Sequence, residues 1–172
     1  MKQNEAKQVI KILMEALPYI QKFSKKICIV KYGGAAMTDN NLKNSFAKDI
    51  ALMKQVGINV VIVHGGGPQI DEQLKKVGIE RNFKDGIRVT DIKTIGIVAD
   101  TLTNLVNKEI VSLINHNGGN AIGVAKDKND VIKVQKHMSE DKDYGYVGVI
   151  VDVDSNYLYD LMTSNYIPVI AP

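Results

Sequence analysis

A short apolar segment followed by glycines and then by an amphipathic helix occurs twice in this chain, and this repeated pattern restricts the fold more than any other feature. In its first occurrence, residues 27–30 are too short and too β-branched for a helix. They lead into Gly33 and Gly34 and then into a helical pattern over residues 42–56. The spacing therefore predicts a strand, a tight turn and a helix.

The second occurrence has the same order. Residues 59–63 form a continuous apolar run, the sequence HGGG follows at residues 64–67, and a helical pattern with proline in its first turn covers residues 68–77. Two strand–turn–helix units in series predict parallel strands, because an intervening helix returns the chain to the same end of the sheet. Further apolar segments at Ala121–Val124 and Ile167–Ile170 are typical of strands of the same sheet.

The rest of the chain adds helices and one hairpin. These are helices over residues 5–22 and 92–114 and from about 155 to 164, and a hairpin of residues 131–134 and 146–151. Pro18 is placed to kink the first of these helices, and Asp91 or Thr90 is placed to cap the second. The predicted fold class is α/β, a three-layer αβα sandwich around a mainly parallel sheet.

Composition and charge exclude several classes of protein. The chain has 172 residues and is 45% hydrophobic, which suits one globular unit with a sizeable core and excludes disorder. The net charge of +3 is spread along the chain, so the sequence predicts no nucleic-acid or membrane partner. The one cysteine, Cys28, lies in an apolar run, which predicts a small core residue in a reducing compartment and thus a cytoplasmic location.

The two glycine turns are candidates for binding an anion. Ligands of open parallel sheets sit beyond the carboxyl ends of the strands, where both turns are predicted. Glycines let backbone N–H groups approach a phosphate closely, and the helix that follows adds its positive end, so Gly33 and Gly65 belong to candidate phosphate cradles. Lys31 adds a mobile ammonium group beside the first turn. This combination suits phosphoryl transfer, although glycine in such turns also has purely structural uses.

Other interpretations of the same motifs are weaker. HGGG also supplies oxyanion-hole donors in α/β-hydrolases, but the chain lacks the G-x-S-x-G turn that would carry the nucleophile. It also lacks G-x-G-x-x-G and a Walker A sequence. The three histidines are scattered, so no metal site is predicted, and the charged stretch at residues 139–143 is typical of a solvated loop. Arg88 could clamp a carboxylate with two parallel hydrogen bonds, or it could form an ordinary surface salt bridge.

Taken together, four segments resemble acetylglutamate kinases, a family within the amino-acid kinase superfamily. They are VKYGG (30–34), VIVHGGGPQI (61–70), GIRVTD (86–91) and YIPVIAP (166–172). The resemblance covers the full chain in order and spacing. It implies transfer of a phosphoryl group from ATP, with Mg²⁺, to the side-chain carboxylate of N-acetyl-L-glutamate in arginine biosynthesis.

The resemblance also implies roles for individual residues. Lys31 would hold the transferring phosphoryl group, helped by the backbone N–H groups of Gly34 and Gly66. Gly66 and Gly67 would border the acetylglutamate, and Arg88 would bind its α-carboxylate.

By the same resemblance, residues 1–24 would be an N-terminal oligomerisation helix, and residues 25–172 an N-acetylglutamate-binding and dimerisation lobe. The long helix over residues 92–114 would build a homodimer, and the N-terminal helix would link dimers into a hexamer. Tyr19 would lie at a site for L-arginine as feedback inhibitor. The simpler interpretation is that Tyr19 lies on the packing face at the end of a helix.

The sequence differs from the family pattern at its end, because the family's nucleotide-binding lobe would follow residue 172. The expectation is therefore that most of the ATP site lies outside these 172 residues. Two alternatives stay open. One is a non-catalytic binding or assembly module derived from the kinase, and the other is a related amino-acid kinase that acts on another acidic substrate.

Overall fold

The computed structural model describes residues 3–125, 131–137 and 143–172. Its elements in chain order are α1 (Gln3–Phe23), β1 (Ile27–Tyr32), α2 (Asn40–Gln55), β2 (Asn59–His64), α3 (Gly67–Lys76), β3 (Phe83–Lys84), β4 (Ile87–Arg88), α4 (Ile92–Asp100), a π-helical segment (Thr101–Asn107), α5 (Lys108–His116), β5 (Ala121–Val124), β6 (Ile132–Lys136), β7 (Gly148–Val153), α6 (Ser155–Thr163) and β8 (Ile167–Ile170). The strands and helices predicted from apolar spacing all occur, with bounds within a few residues of those expected.

The main sheet has the order β1-β2-β8-β5, and all of its strands are parallel. Strands β2 and β8 occupy its centre, which explains why their sequences are continuously apolar rather than alternating. One core cluster joins Ile50 of α2, Ile62 of β2 and Ile114 of α5 on one face of the sheet. A second cluster joins Val61 of β2 and Leu161 of α6 on the other face. The predicted α/β class and parallel three-layer arrangement are confirmed.

Strand β1 lies at an edge of this sheet. Alternate side chains along it are exposed, with Ile29 at 71% exposure, and Cys28 is half-buried rather than buried in the core as predicted. Burial of the other face increases toward the carboxyl end of the strand, where Tyr32 is 4% exposed. The edge position explains the difference, since an apolar run predicts a strand but not how many of its faces are covered.

The long helix predicted over residues 92–114 differs from expectation in its middle. Its course is continuous, and Asp91 caps it as predicted by accepting hydrogen bonds from the N–H groups of Lys93 and Thr94 at 3.0 and 2.9 Å. The turns over Thr101–Asn107 are π-helical, however. The hydroxyl of Thr101 donates to the Ile97 carbonyl oxygen at 2.6 Å, and such bonds compete with the regular backbone ladder. Apolar spacing cannot reveal this local widening.

A small hairpin, β3–β4, lies in the region where the sequence indicated only weak periodicity. Asp85 and Gly86 form its turn, both with positive φ (52° and 78°), as a two-residue turn of type I′ requires. The Asp-Gly pair was the local signal for this hairpin. Just beyond it, Thr90 exchanges backbone hydrogen bonds with residues 144 and 146 at 3.0 and 2.7 Å, which fixes the base of the hairpin.

The predicted hairpin of the second half is β6–β7, and it is antiparallel as expected.

Helix α1 continues for five residues beyond Pro18. Its large apolar side chains are exposed, namely Val9, Ile10, Ile12, Leu13, Met14 and Leu17. Within the described ranges, no helix combines the length and the hydropathy that crossing a membrane requires.

Candidate active site

The two glycine turns leave the sheet side by side. Strands β1 and β2 pair in register up to Tyr32 opposite His64, and the N–H of Gly65 donates to the carbonyl oxygen of Tyr32 at 2.9 Å. Because adjacent strands are about 4.8 Å apart, Gly33 and Gly65 begin their turns as neighbours. Both turns lie at the carboxyl ends of parallel strands, which is where ligands of such sheets bind.

The first turn is open to its surroundings. Gly34 has φ of +65°, a conformation that favours glycine, and it begins a 3₁₀ turn that extends to Met37. A Cβ atom at Gly33 or Gly34 would meet no atom within 4 Å. The hydroxyl of Tyr32 donates to the carbonyl oxygen of Ala36 at 2.7 Å. Burial, followed by the negative charge of Glu109, raises the pKa of Tyr32 to about 12, so this hydroxyl remains a donor.

The second turn is enclosed at its middle residue, Gly66, whereas added Cβ atoms at Gly65 and Gly67 would meet no atom within 4 Å. Gly66 is buried, and a Cβ atom there would lie 2.6 Å from Cδ2 of Leu102 in the π-helical segment. Helix α3 begins at Gly67, so its unpaired N–H groups and the positive end of its dipole face the same edge of the sheet. A ligand at this turn therefore meets backbone N–H donors that lie next to the packed side chain of Leu102.

Gln69, in the first turn of α3, connects the two glycine turns. Its Nε2 donates to the carbonyl oxygen of Met37 at 3.4 Å, which is at the end of the first turn. Its Oε1 is buried and has no hydrogen-bond partner in the part of the chain that the structure describes. The Gln69 hydrogen bond therefore links the two turns in addition to the pairing of strands β1 and β2.

Lys31 lies exposed near the carboxyl end of β1, two residues before Gly33. It pairs in register with Val63, the last residue but one of β2. The ammonium group is therefore carried by the same edge of the sheet as both turns. This is the arrangement that the sequence pattern predicted for Lys31 and the glycines.

Arg88 projects from β4 and is held by two groups. Its Nη2 forms an ion pair with Oδ1 of Asp71, and its guanidinium carbon lies 4.6 Å from the ring centroid of Phe83. The side chain is only 13% exposed, so Arg88 does not form an ordinary surface salt bridge. Its Nη1 is buried and lacks a partner among the described residues. Asp71 lies one helical turn after Gly67, which places Arg88 against the helix that follows the second glycine turn.

Tyr19 is not part of this arrangement. It lies on α1, which precedes the amino end of β1, whereas the glycine turns follow the carboxyl ends of β1 and β2. Its side chain is 67% exposed and is not on the packing face of a helix end.

Of the charged stretch at residues 139–143, residues 139–142 lie outside the described residues. Within the described ranges, no group of three His, Cys, Asp or Glu side chains could hold a metal ion.

Sequence reasoning missed three residues that shape the site, which are Asp71, Gln69 and Asn107. Asp71 and Gln69 occupy polar positions of an amphipathic helix, where the usual expectation is a solvated surface. Asn107 lies inside a long helical pattern, and its buried contacts span up to 62 residues of sequence. Its sequence neighbours include Asn104 and Lys108, so no local signal indicated a buried role.

The sequence profile of the amino acid kinase family matches residues 26–172. An acetylglutamate kinase of Saccharophagus degradans is 50% identical over 99% of this chain and 60% of that protein. An acetylglutamate kinase of Thermoanaerobacter pseudethanolicus is 53% identical over 94% of this chain and 54% of that protein. The chain thus spans somewhat more than half the length of these curated relatives.

Solved structures show the same fold in more distant proteins. N-acetylglutamate synthase from Neisseria gonorrhoeae, complexed with coenzyme A and N-acetyl-glutamate, has a TM-score of 0.79 at 22% identity and covers 94% of this chain and 37% of that one. A carbamate kinase of Giardia has a TM-score of 0.52 at 14% identity and covers 86% and 59%. At these identities the likeness concerns the fold alone.

Proposed function

Because the chain belongs to the amino acid kinase family, we propose that it provides the substrate-binding part of an acetylglutamate kinase. The relatives that carry this name are about half identical to nearly the whole chain, which supports the proposal. The proposed reaction is transfer of the γ-phosphoryl group of ATP to the side-chain carboxylate of N-acetyl-L-glutamate. Mg²⁺ enters this reaction bound to ATP.

The reaction needs positioning and positive charge rather than a proton acceptor. A side-chain carboxylate with a pKa of about 4.3 is ionised at neutral pH. One of its oxygens attacks the γ-phosphorus, a new O–P bond forms, and the bond from phosphorus to the bridging oxygen breaks to release ADP. The ammonium of Lys31 and the N–H groups of Gly34 and Gly66 are proposed to stabilise the charge on the transferring group.

One observation carries the choice of substrate, and it concerns Arg88. Asp71 pairs with Nη2 of its guanidinium group, while the buried Nη1 has no partner among the described residues. A buried N–H without an acceptor is costly, so the site favours a ligand oxygen there. The α-carboxylate of N-acetyl-L-glutamate supplies that oxygen, with Gly66 and Gly67 bordering the rest of the molecule.

The test measures binding of N-acetyl-L-glutamate by calorimetry in two arginine variants. Arg88 and Arg81 both contact Asp71, but the side chain of Arg81 is 70% exposed. We expect Arg88→Ala to weaken binding at least about tenfold, since a charge-assisted pair is lost, and Arg81→Ala to leave it within about twofold. Equal affinity in the wild type and Arg88→Ala would contradict the assignment of Arg88.

Turnover is tested separately by trapping acyl phosphate with hydroxylamine in the presence of ATP, Mg²⁺ and N-acetyl-L-glutamate. We expect any acyl phosphate that forms to disappear in Lys31→Ala, because the positive charge beside the transferring group is removed. Retained turnover in that variant contradicts the role of Lys31. Competition by other acidic amino-acid derivatives in the binding assay then separates this substrate from related ones.

The oligomer and the inhibitor are further parts of this proposal. The apolar side chains exposed along α1, among them Ile10 and Leu13, support a role for this helix in linking copies of the protein. The helix spanning α4 and α5 is proposed to form the dimer contact. L-Arginine is proposed to bind near Tyr19, whose exposed ring is available to a ligand. Light scattering of a Leu13→Glu variant tests the role of α1, and comparing the binding of L-arginine to the wild type and to a Tyr19→Ala variant tests the inhibitor site.

A further inference from the structure

His64 is a buried side chain that the proposed reaction does not use. It ends β2, directly before the second glycine turn, and is 2% exposed. Its Nδ1 lies 2.8 Å from the carbonyl oxygen of Gly65, and its Nε2 lies 3.1 Å from Nδ2 of Asn107. Both ring nitrogens therefore have a partner within hydrogen-bond distance.

The orientation of Asn107 fixes the roles of these atoms. Its Nδ2 also lies 2.9 Å from the carbonyl oxygen of Val169, which can only accept. The nitrogen must therefore face Val169 and His64, and the amide oxygen must face the other way, toward Gly123. A Cβ atom at Gly123 would overlap that oxygen, so glycine leaves the space that this orientation needs.

One tautomer of His64 satisfies all of these contacts. The Gly65 carbonyl oxygen can only accept, so Nδ1 must carry a proton and donate it. The Asn107 Nδ2 can only donate, so Nε2 must be unprotonated and accept. Burial lowers the pKa of His64, which agrees with a neutral ring.

The hydrogen bond to Gly65 determines where the next N–H group points. In a trans peptide the C=O and the N–H of one unit point in opposite directions, and the described peptide bonds are all trans. The Gly65 carbonyl is turned toward the buried imidazole ring, so the N–H of Gly66 is directed away from it. Gly66 is buried, and a Cβ atom there would lie 2.6 Å from Cδ2 of Leu102, so the packing leaves room for no side chain larger than glycine's unless Leu102 moves.

We propose that His64, held in its Nδ1–H tautomer by Asn107, is a positioning residue that orients the N–H of Gly66 toward an anionic ligand at the second glycine turn. The identity of that anion, a phosphoryl group or a carboxylate, rests on the proposed function. The orientation of the peptide does not. Asn107 in turn joins the second turn to the carboxyl end of β8 through Val169.

The first measurement needs no substitution. A long-range ¹H–¹⁵N spectrum of the histidine-labelled chain identifies which ring nitrogen of His64 carries the proton. We expect protonated Nδ1 and unprotonated Nε2 at neutral pH. A ring protonated on Nε2, or on both nitrogens, overturns the proposal, and this result decides it even if every variant fails to fold.

Two substitutions then separate the two ring nitrogens. In His64→Asn, the side-chain amide places a donor close to the position of Nδ1, whereas in His64→Gln the amide reaches the position of Nε2 and contacts Asn107. We expect His64→Asn to keep the Gly66 amide signal of the wild type and to bind N-acetyl-L-glutamate within about threefold. We expect His64→Gln to shift that signal and to bind about tenfold more weakly.

The opposite order, or an equal loss in both variants, overturns the proposal. Failure of the wild type to bind N-acetyl-L-glutamate overturns the proposed function instead. In that case the tautomer and the Gly66 amide signals of the unliganded proteins still decide the role of His64.

Discussion

The two glycine turns leave adjacent strands at the same level of the sheet, yet their surroundings differ. Added Cβ atoms at Gly33 and Gly34 would meet open space, and one side-chain hydrogen bond from Tyr32 reaches the 3₁₀ turn that follows. Gly66, in contrast, is packed against Leu102, and the buried His64–Asn107 pair lies directly behind its turn. Similar sequences therefore give one turn that is open at both glycines and one whose middle glycine is enclosed.

Because of this difference, we expect the two turns to contribute differently to the proposed site. Regions with few buried contacts open and rearrange at low free-energy cost, whereas packed regions with satisfied buried polar groups do not. We expect Gly66 to form a fixed part of the proposed site and the first turn to adapt to a ligand that binds there. The following substitutions test that contrast.

The largest effect is expected for Asn107→Ala. Loss of the amide removes the side-chain donor from the Val169 carbonyl oxygen and from the buried Nε2 of His64, which we expect to lower the free energy of unfolding by about 3 kcal/mol. Asn104→Ala, in the same π-helical segment but exposed, is the matched control and should change it by no more than about 0.5 kcal/mol. Urea denaturation measures both. Equal losses would show that the buried network does not hold the second turn.

Alanine substitution of one glycine from each turn should give the next largest difference. In Gly66→Ala, the new methyl group forces the end of the buried Leu102 side chain to move, and we expect a loss of about 2 kcal/mol. In Gly33→Ala, the methyl group meets open space, so the change should stay within about 0.5 kcal/mol. Thermal unfolding of both variants checks the contrast, and a larger loss for Gly33→Ala would reverse it.

Tyr32→Phe tests how firmly the first turn is held. The substitution removes the hydroxyl that donates to the Ala36 carbonyl oxygen and keeps the ring stacked on Phe46. We expect a loss of about 1 kcal/mol in urea denaturation. Tyr159→Phe, at an exposed position, serves as the control and should be neutral. A loss as large as that of Asn107→Ala would mean that both turns are equally constrained.

The smallest difference is expected in the pH dependence of stability. Burial lowers the pKa of His64 in the folded state, so between the unfolded value of about 6.5 and that lower value the unfolded chain binds the extra proton. The free energy of unfolding should therefore decrease as the pH falls below about 6.5. His64→Asn should show a shallower decrease over pH 6.5 to 5, before the carboxylates titrate. Parallel curves for the two proteins would contradict a neutral buried His64.

Much of the fold followed from local patterns in the sequence. Continuous apolar runs such as residues 59–63 identified the central strands, and glycine after each run identified the turns. Asp91 was recognisable as a helix cap because its role depends on the next three residues only. The hairpin around Asp85 and Gly86 was missed, although the Asp-Gly pair carries a local signal for it.

The sequence by itself determined the α/β class and the parallel sheet, because strand and turn signals act over a few residues. It also determined that Lys31 and both glycine turns lie at the same edge of the sheet, because parallel strands end at one edge. Only the tertiary structure decided that Gly66 is enclosed while Gly33 and Gly34 are open, because burial depends on what packs against a segment from elsewhere in the chain. The ion pair of Arg88 with Asp71 and the contacts of Asn107 with His64 and Val169 join residues 17 to 62 positions apart. Such contacts leave no periodic trace in the sequence, so folding alone brings them together.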